Sequence, residues 1–303
     1  MPHDKKSIFS LGDGCPKGTV PIRRTTKEDL IRSQSLSSWT PSSANRIYRA
    51  GVFYKKTGMH GGKGTVNAWH PEVRSDQYSS SELSIKSGPS NQTSAIKFGW
   101  TECSGLSLIF CMSIVNPHLY GDDKTRNFAY WTGDGGHKTE CYNTLCSGYV
   151  QVHQTRGPGQ AVAQTSIVAG QQYEVTIEIS LEQETGKWWL ILDDVKIGYW
   201  PKQLFPLFKT GVESIFWGGR VKAGNDGVSP QMGSGFPIDD YPETTGYFAD
   251  LKYIDESNQS LQPESVDTVV DCRGGPNRYD AKYYSKHNIL HFGGGLDGAH
   301  CYE

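Results

Sequence analysis

Short runs of the chain alternate between hydrophobic and polar residues. In residues 173–180, YEVTIEIS, the apolar side chains fall on every second position, which is the pattern of a strand with one buried face. Glu-Thr-Gly at 184–186 then precedes a second apolar run at 188–192, so we predict a β-hairpin there. Further short runs bounded by Gly, Pro or Ser also favour strands; these are residues 65–71, 82–88 and 94–100.

Residues 126–151 combine an aromatic strand, a Gly-rich bend and a close pair of cysteines, Cys141 and Cys146, before a further alternating strand at 149–153. The spacing of the two cysteines suits a small disulfide loop. A zinc site needs a second close pair of ligands, and no second close cysteine pair follows. We therefore expect a disulfide loop between two strands.

Helix signals are few. Thr26 can cap a short turn that runs towards Gln34, and Pro201–Phe208 has a proline at a suitable first position. Many short strands with few helices predict an all-β fold, a two-sheet antiparallel β-sandwich.

Length and charge exclude some classes of protein. The chain has 303 residues, enough for one large β domain or two ordinary ones, and carries a net charge of −2 with a pI of about 6.5. This charge gives no electrostatic case for binding nucleic acid or an anionic membrane. We expect no transmembrane helix, since the sequence has no run of about 18 apolar residues, the length that such a helix needs.

Several motifs follow one another in a recognisable order: YWTGDG, CYNTLCSGYVQ, KWWLIL, GYWPKQLF, FWGGRV and QMGSGFP. In this order they resemble the neprosin family of plant glutamic prolyl endopeptidases. The resemblance implies a jelly-roll or concanavalin-like antiparallel sandwich for residues 45–303. It also implies that residues 1–44 are a linker and the remnant of an activation peptide, whose end is similar to residues 15–30.

The resemblance implies a site built on two glutamates. The family places one glutamate in an Ile-Glu-x-Gly-Trp motif and the other in Trp-Gly-Gly-Glu-Val. Here the matching positions are Lys97, in IKFGW, and Arg220, in WGGRV. Strand alternation puts Lys97 on the same face as Gly99 and Arg220 on the same face as Gly218. Cations on strands are most often solvated surface, but the family placement implies that both look into the cleft.

Two cations cannot perform the chemistry of two carboxylates. Arg220 stays protonated and cannot act as a general base, and Lys97 could do so only with a strongly lowered pKa. We therefore predict a pseudopeptidase that acts as a secreted binding protein for a proline-rich peptide or an anionic or carbohydrate ligand. Two alternatives stay open: an acid endopeptidase that cuts after proline through Glu178, Glu213, Asp239 or Asp240, and a lectin-like carbohydrate-binding module.

Aromatic residues are candidates either for the core or for the lining of the cleft, where they would stack on proline or sugar rings. Together with one glutamine, the cleft candidates are Tyr130, Trp131, Trp189, Tyr199, Trp200, Trp217 and Gln231. We predict no metal and no cofactor. His287 and His291 are too far apart on a strand, about 13 Å, to share a metal ion.

By resemblance to relatives we predict disulfides Cys141–Cys146 and Cys272–Cys301, which leave Cys15 unpaired.

Residues 102–114, ECSGLSLIFCMSI, interrupt the family pattern. They are either a loop with its own disulfide or a splice or gene-model artefact.

The resemblance and the cysteines suggest a monomeric, secreted protein of the apoplast or cell wall. Asn91 and Asn258 lie in N-glycosylation sequons. The first residues do not form a signal peptide, so we expect the sequence to be incomplete at its N-terminus.

Overall fold

The computed structural model describes residues 6–7, 15–21, 46–74, 76–89, 91–102, 124–272, 278–297 and 299–300. Within them the chain is almost wholly β-structure. The strands are β1 Lys6–Ser7, β2 Ile47–Met59, β3 Gly61–Asn67, β4 Tyr78–Ser87, β5 Ser94–Glu102, β6 Arg126–Thr132, β7 Cys141–Tyr142, β8 Val150–Gln151, β9 Tyr173–Glu182, β10 Lys187–Leu192, β11 Val195–Pro201, β12 Val212–Lys222, β13 Val228–Ser229, β14 Gly246–Ile254, β15 Ser260–Leu261, β16 Asp267–Val270, β17 Tyr279–Tyr284, β18 Ile289–Gly294 and β19 Ala299–His300.

Two large sheets contain all of these strands except β13 and β19, which pair with each other, as the all-β prediction requires. The seven-stranded sheet has the order β16-β2-β12-β4-β5-β6-β7. The ten-stranded sheet has the order β17-β18-β14-β3-β9-β10-β11-β8, with β1 paired to β9 and β15 paired to β14. Apart from the parallel pair β1–β9, the strands of both sheets pair antiparallel. Strand β12 lies between β2 and β4, although it follows them by more than a hundred residues in the chain.

The hydrophobic core lies between the two sheets. Ile177 and Ile179 of β9 are fully buried, as the alternation in 173–180 predicted. Trp217 of β12 donates its indole N–H to the carbonyl of Lys63 on β3, 3.0 Å away, which joins the sheets across the core. The predicted hairpin is present as the antiparallel pair β9–β10.

Helix is confined, in the described part of the chain, to a single 3₁₀ turn at Lys202–Leu204. The predicted helix at Pro201–Phe208 is therefore shorter than expected, because Pro201 ends β11 and backbone turns follow at Phe205 and Phe208. The other predicted helix, at 26–34, and residues 103–114 of the interrupting segment 102–114 lie outside the described residues. No helix among the described residues has the length and apolar character needed to cross a membrane.

Candidate functional site

Polar residues cluster on the outer face of the seven-stranded sheet, the face turned away from the core. Leu83, Phe98 and Trp217 point into the core, so the side chains at alternate positions of the same strands project outward. This alternation puts Lys97 of β5 and Arg220 of β12 on the outer face; that they line a cleft stays a prediction. It also puts there Glu82 of the intervening strand β4.

The register of the sheet brings these three side chains together. Glu82 is opposite Gly99 on β5 and opposite Gly218 on β12. Neither neighbour has a side chain, so Lys97 and Arg220, each two residues along its own strand, can lean over Glu82 from opposite sides. Gly218 has a φ of +152°, and a Cβ there would come within 2.4 Å of the Ala50 carbonyl oxygen, so this position requires glycine.

Glu82 forms ion pairs with both cations. Its Oε1 atom accepts a hydrogen bond from Arg220 Nε at 3.0 Å, and also lies 3.0 Å from Arg220 Nη2 and 3.9 Å from Lys97 Nζ. The Glu82 side chain is only 3% exposed, whereas the side chains of Lys97 and Arg220 are 22% and 23% exposed. The carboxylate thus lies at the bottom of the cluster with a cation on each side.

These contacts change the pKa of each group. Burial alone would raise the pKa of Glu82, but Arg220 and Lys97 outweigh it and hold that pKa below its usual value. Burial and the charge of Arg220 lower the pKa of Lys97 to about 8, although Glu82 and Glu140 oppose the change. At neutral pH the cluster is therefore an ionised carboxylate, a guanidinium, and an amine close to its titration point.

Aromatic rings border Lys97 on one side of the cluster. Lys97 pairs with Tyr130 of β6, and its Nζ lies 4.9 Å from the centre of that ring. Tyr142 packs against Tyr130 at 4.7 Å, beside the buried Phe128. The Tyr130 hydroxyl hydrogen-bonds to Glu140, and burial raises the pKa of Glu140 despite that bond and the nearby Lys97. The outer face thus carries a second carboxyl group with the opposite pKa shift from Glu82.

A second aromatic and cationic group lies further along the same face. Phe53 and Phe216 contact each other at 4.9 Å, and Lys86 Nζ and the Arg49 guanidinium lie 5.1 Å and 5.8 Å from the Phe53 ring. Arg49 also pairs with Asp271 at 2.7 Å. Rings and cations therefore alternate across this face, with Glu82 near its centre.

The structure divides the predicted cleft-lining residues. Tyr130 is part of the outer face. Trp131, Trp200 and Trp217 are buried in the core with Trp188, so their expected place in the cleft is wrong for these residues. Alternation could not distinguish the two faces of an aromatic strand, because both carry large rings.

Two other candidates lie on the ten-stranded sheet. Trp189 and Tyr199 contact each other at 5.0 Å, and Lys196 and Lys187 lie over their rings. Gln231 accepts the backbone N–H of Glu72 and donates to the carbonyl of Leu296. These contacts are separate from the Lys97 cluster.

The carboxylates that the sequence offered as an alternative dyad are engaged elsewhere. Glu178 pairs with Lys63 on the ten-stranded sheet, and Glu213 accepts the backbone N–H of Gly88. Asp239 accepts hydrogen bonds from Tyr241 and Thr244, and Asp240 accepts them from Lys282 and Tyr284. None of these contacts involves Lys97 or Arg220.

The cysteine predictions are partly answered. Cys141 and Cys146 form a disulfide, and Cys15 is in no disulfide. Cys272 is buried and disulfide-bonded, and its predicted partner, Cys301, lies outside the described residues.

The two sequon asparagines are both exposed. Asn258 donates its amide N–H to Gln183 and contacts His60 Nδ1. The backbone carbonyl of Asn91 contacts His137 Nε2. Glycosylation of either residue stays a prediction.

Sequence reasoning missed Glu82. The strand ELSIKSG was predicted, and its alternation puts Glu82 on the polar face. What the sequence does not contain is the register that sets β4 between β5 and β12 and so places this carboxylate between the two cations.

Similarity to known proteins was found at two levels. The family model described as Neprosin matches residues 75–295. The fold is similar to two crystal structures of scytalido-glutamic peptidase, one with a peptide based transition state analog (TM-score 0.43) and one with a transition state analog inhibitor (TM-score 0.45). Each match has 9% sequence identity and covers 82% of this chain and 98% of the peptidase chain. It is also similar to SCP-B, a member of the Eqolisin family, at 9% identity, TM-score 0.39 and the same coverage. These TM-scores are low, whereas the family match spans most of the chain and includes both Lys97 and Arg220. On that match, this protein belongs to the neprosin family.

Proposed function

We propose that this protein is a neprosin-family domain that binds a ligand on the outer face of its seven-stranded sheet without cleaving peptides through a glutamate dyad. One observation carries the proposal. Lys97 and Arg220, which by resemblance stand at the positions of the family's two glutamates, both pair with the buried Glu82.

A glutamate dyad needs two carboxyl groups that share a site and differ in pKa, so that one accepts a proton while the other holds one. In this cluster a single carboxylate is fixed between two cations. Its lowered pKa makes Glu82 a weak base, and Arg220 cannot exchange its proton near neutral pH. The loss of a general base alone costs roughly 10²–10⁴ in rate.

The ligand that fits this face carries a carboxylate and a flat or prolyl ring. Arg220 has five N–H donors. Its hydrogen bond to Glu82 comes from Nε, and Nη2 lies 3.0 Å from the same oxygen, so donors remain for a ligand anion. Tyr130 and Phe53 offer ring surfaces on either side. A proline-rich peptide with an acidic group is the first choice of ligand, and a uronic-acid sugar is the second.

Peptide cleavage and peptide binding should be measured on the same preparations. We expect the wild-type protein to leave a proline-containing peptide intact from pH 3 to pH 8, and to bind an acidic proline-rich peptide more tightly than its amidated, neutral form in calorimetry. Arg220→Gln should remove that preference. Cleavage by the wild-type protein would overturn the proposal, and so would equal affinity for the two peptides.

Rebuilding the dyad requires three substitutions rather than two. Lys97→Glu with Arg220→Glu would place two new carboxylates beside Glu82, and three adjacent carboxylates repel one another. Adding Glu82→Gln removes the third charge while it keeps the shape of the side chain. We therefore expect any recovered peptidase activity in the triple variant and not in the double variant.

A second candidate function rests on the opposite pKa shifts of Glu82 and Glu140. These two carboxyl groups lie on the same face with Lys97 near both, and such a pair could support acid endopeptidase activity. Under this alternative the wild-type protein cleaves peptide at acid pH, and Glu82→Gln and Glu140→Gln each abolish cleavage.

Secretion belongs to the same proposal. The disulfide at Cys141–Cys146 suits an oxidising compartment, and family membership agrees with it. Recovery of the full-length product in extracellular washes would support secretion, and exclusive recovery from cytosol would oppose it.

A further inference from the structure

Lys97 has a buried yet reachable amine. Its side chain is 22% exposed, and Nζ lies 3.9 Å from Glu82 Oε1 and 4.9 Å from the centre of the Tyr130 ring. Lys97 lies within the central strand β5, which is hydrogen-bonded to a neighbouring strand on both sides. The backbone at Lys97 is thus held in place on the face that we propose for ligand binding.

The surroundings of Lys97 disfavour its ammonium form. Burial has the largest effect, followed by the charge of Arg220, with a smaller contribution from Lys86, while Glu82 and Glu140 act in the opposite direction. The result is a pKa of about 8. About a tenth of the amine is then uncharged at pH 7, which is roughly a hundredfold or more above an ordinary lysine with a pKa near 10.4.

Arg220 lies beside the amine through a shared partner. Both cations contact the same oxygen, Glu82 Oε1. A small ligand with a carbonyl group next to a carboxylate could therefore meet both groups at once, with the carboxylate on the guanidinium and the carbonyl carbon at the amine. Arginine suits a carboxylate because its planar fork matches the two oxygens.

We propose that Lys97 is a covalent carbonyl-binding site, which forms an imine with an α-oxo acid whose carboxylate Arg220 holds. The Lys97 nitrogen attacks the carbonyl carbon and forms the C–N bond. The nitrogen gives up two protons, and the carbonyl oxygen leaves with them as water. No oxidant or reductant is needed. The role of Arg220 as the group that holds the anion rests on the proposed function, whereas the chemistry of the Lys97 amine does not.

Reductive trapping tests this site in the wild-type protein. Glyoxylate, an α-oxo acid, and propanal, a neutral aldehyde, are each supplied with cyanoborohydride, which reduces an imine to a stable secondary amine. Peptide mass spectrometry then measures the rate at each lysine. Lys55, which is 66% exposed, is the internal control.

We expect trapping at Lys97 to be at least ten times faster than at Lys55 at pH 7, and to level off above pH 8. Glyoxylate should exceed propanal at Lys97 but not at Lys55. A rate at Lys97 no greater than at Lys55 with both reagents overturns the proposal, and this comparison needs no variant.

The Arg220→Gln variant separates the two proposals. The ratio of glyoxylate to propanal trapping at Lys97 should fall towards the ratio at Lys55, and a ratio that matches the wild type overturns the role of Arg220. Rapid trapping with propanal alone in the wild type would support the amine chemistry and contradict the anion-binding function. Lys97→Arg, which keeps the charge, should show no trapping at that position.

Discussion

A Glu82→Gln substitution leaves Lys97 and Arg220 without the carboxylate that both contact. At an effective dielectric constant of about 20, two unit charges about 4 Å apart interact by about 4 kcal/mol. Glu82 is almost fully buried, whereas the cations are about one-fifth exposed, so solvent offsets part of the loss. Since removing one partner of a buried pair costs about 3–5 kcal/mol, we expect a loss of about 3 kcal/mol at pH 7.

The loss of stability caused by Glu82→Gln should depend on pH in a defined direction. The pKa of Glu82 is lowered in the folded protein, so its stabilisation is present above its unfolded pKa and is lost as pH falls through the folded value. The pKa of Lys97 is lowered from 10.5 to about 8 while Glu82 opposes the change. Removing Glu82 lowers this pKa further, so in the variant the amine loses its proton, and the repulsion from Arg220 weakens, before about pH 8 is reached. The difference between variant and wild type should therefore be largest near neutral pH and smaller at acid pH and above about pH 8.

Urea unfolding, followed by tryptophan fluorescence from pH 3.5 to pH 9.5, measures this difference. Glu184→Gln is the matched control, because Glu184 is an exposed turn residue. A double-mutant cycle with Arg220→Gln isolates the coupling of the ion pair. A Glu82→Gln protein within about 0.5 kcal/mol of the wild type at pH 7, or a cost that does not change with pH, would refute the reasoning.

Three further predictions concern the frame around the site. Gly218→Ala should lower the free energy of unfolding by about 2 kcal/mol or more. Gly227→Ala is the control, because the nearest atom lies 3.6 Å from the new Cβ, and it should cost about 1 kcal/mol. Equal losses in urea unfolding would contradict the close approach at Gly218. Cys146→Ser opens the disulfide loop and should lower stability by about 2 kcal/mol on the chain-entropy model; once both proteins are reduced, the variant and the wild type should unfold at the same midpoint. Trp217→Ala should cost about 3–5 kcal/mol, because its indole fills the core between the sheets; a loss below about 1 kcal/mol, measured by thermal unfolding, would place that ring outside the core.

Much of the fold follows from local pattern. Alternation in 173–180 identified β9 and its buried face, and the Glu-Thr-Gly segment identified the turn to β10. The same reasoning set Lys97 and Arg220 on a polar face. These features depend only on neighbours within one strand or one hairpin, and the sequence contains that information directly.

What local pattern could not supply is pairing between distant strands. Glu82 becomes the centre of the site because β4 is flanked by β5 and β12, with glycines opposite on both sides. The burial of Trp200 depends in the same way on which face of β11 meets the second sheet. Such facts come from the assembled sheet, where register and layer packing decide which side chains meet.

The position of β12 between β2 and β4 also bears on the order in which the protein folds. Arg220 and Glu82 are 138 residues apart in sequence, so the pairing of their strands closes a very long loop. Pairings of that kind form slowly, because the chain loses loop entropy before the contacts can repay it. The ionic cluster should therefore be among the last parts of the molecule to assemble, and a ligand of the outer face would recognise only chains whose central sheet is complete.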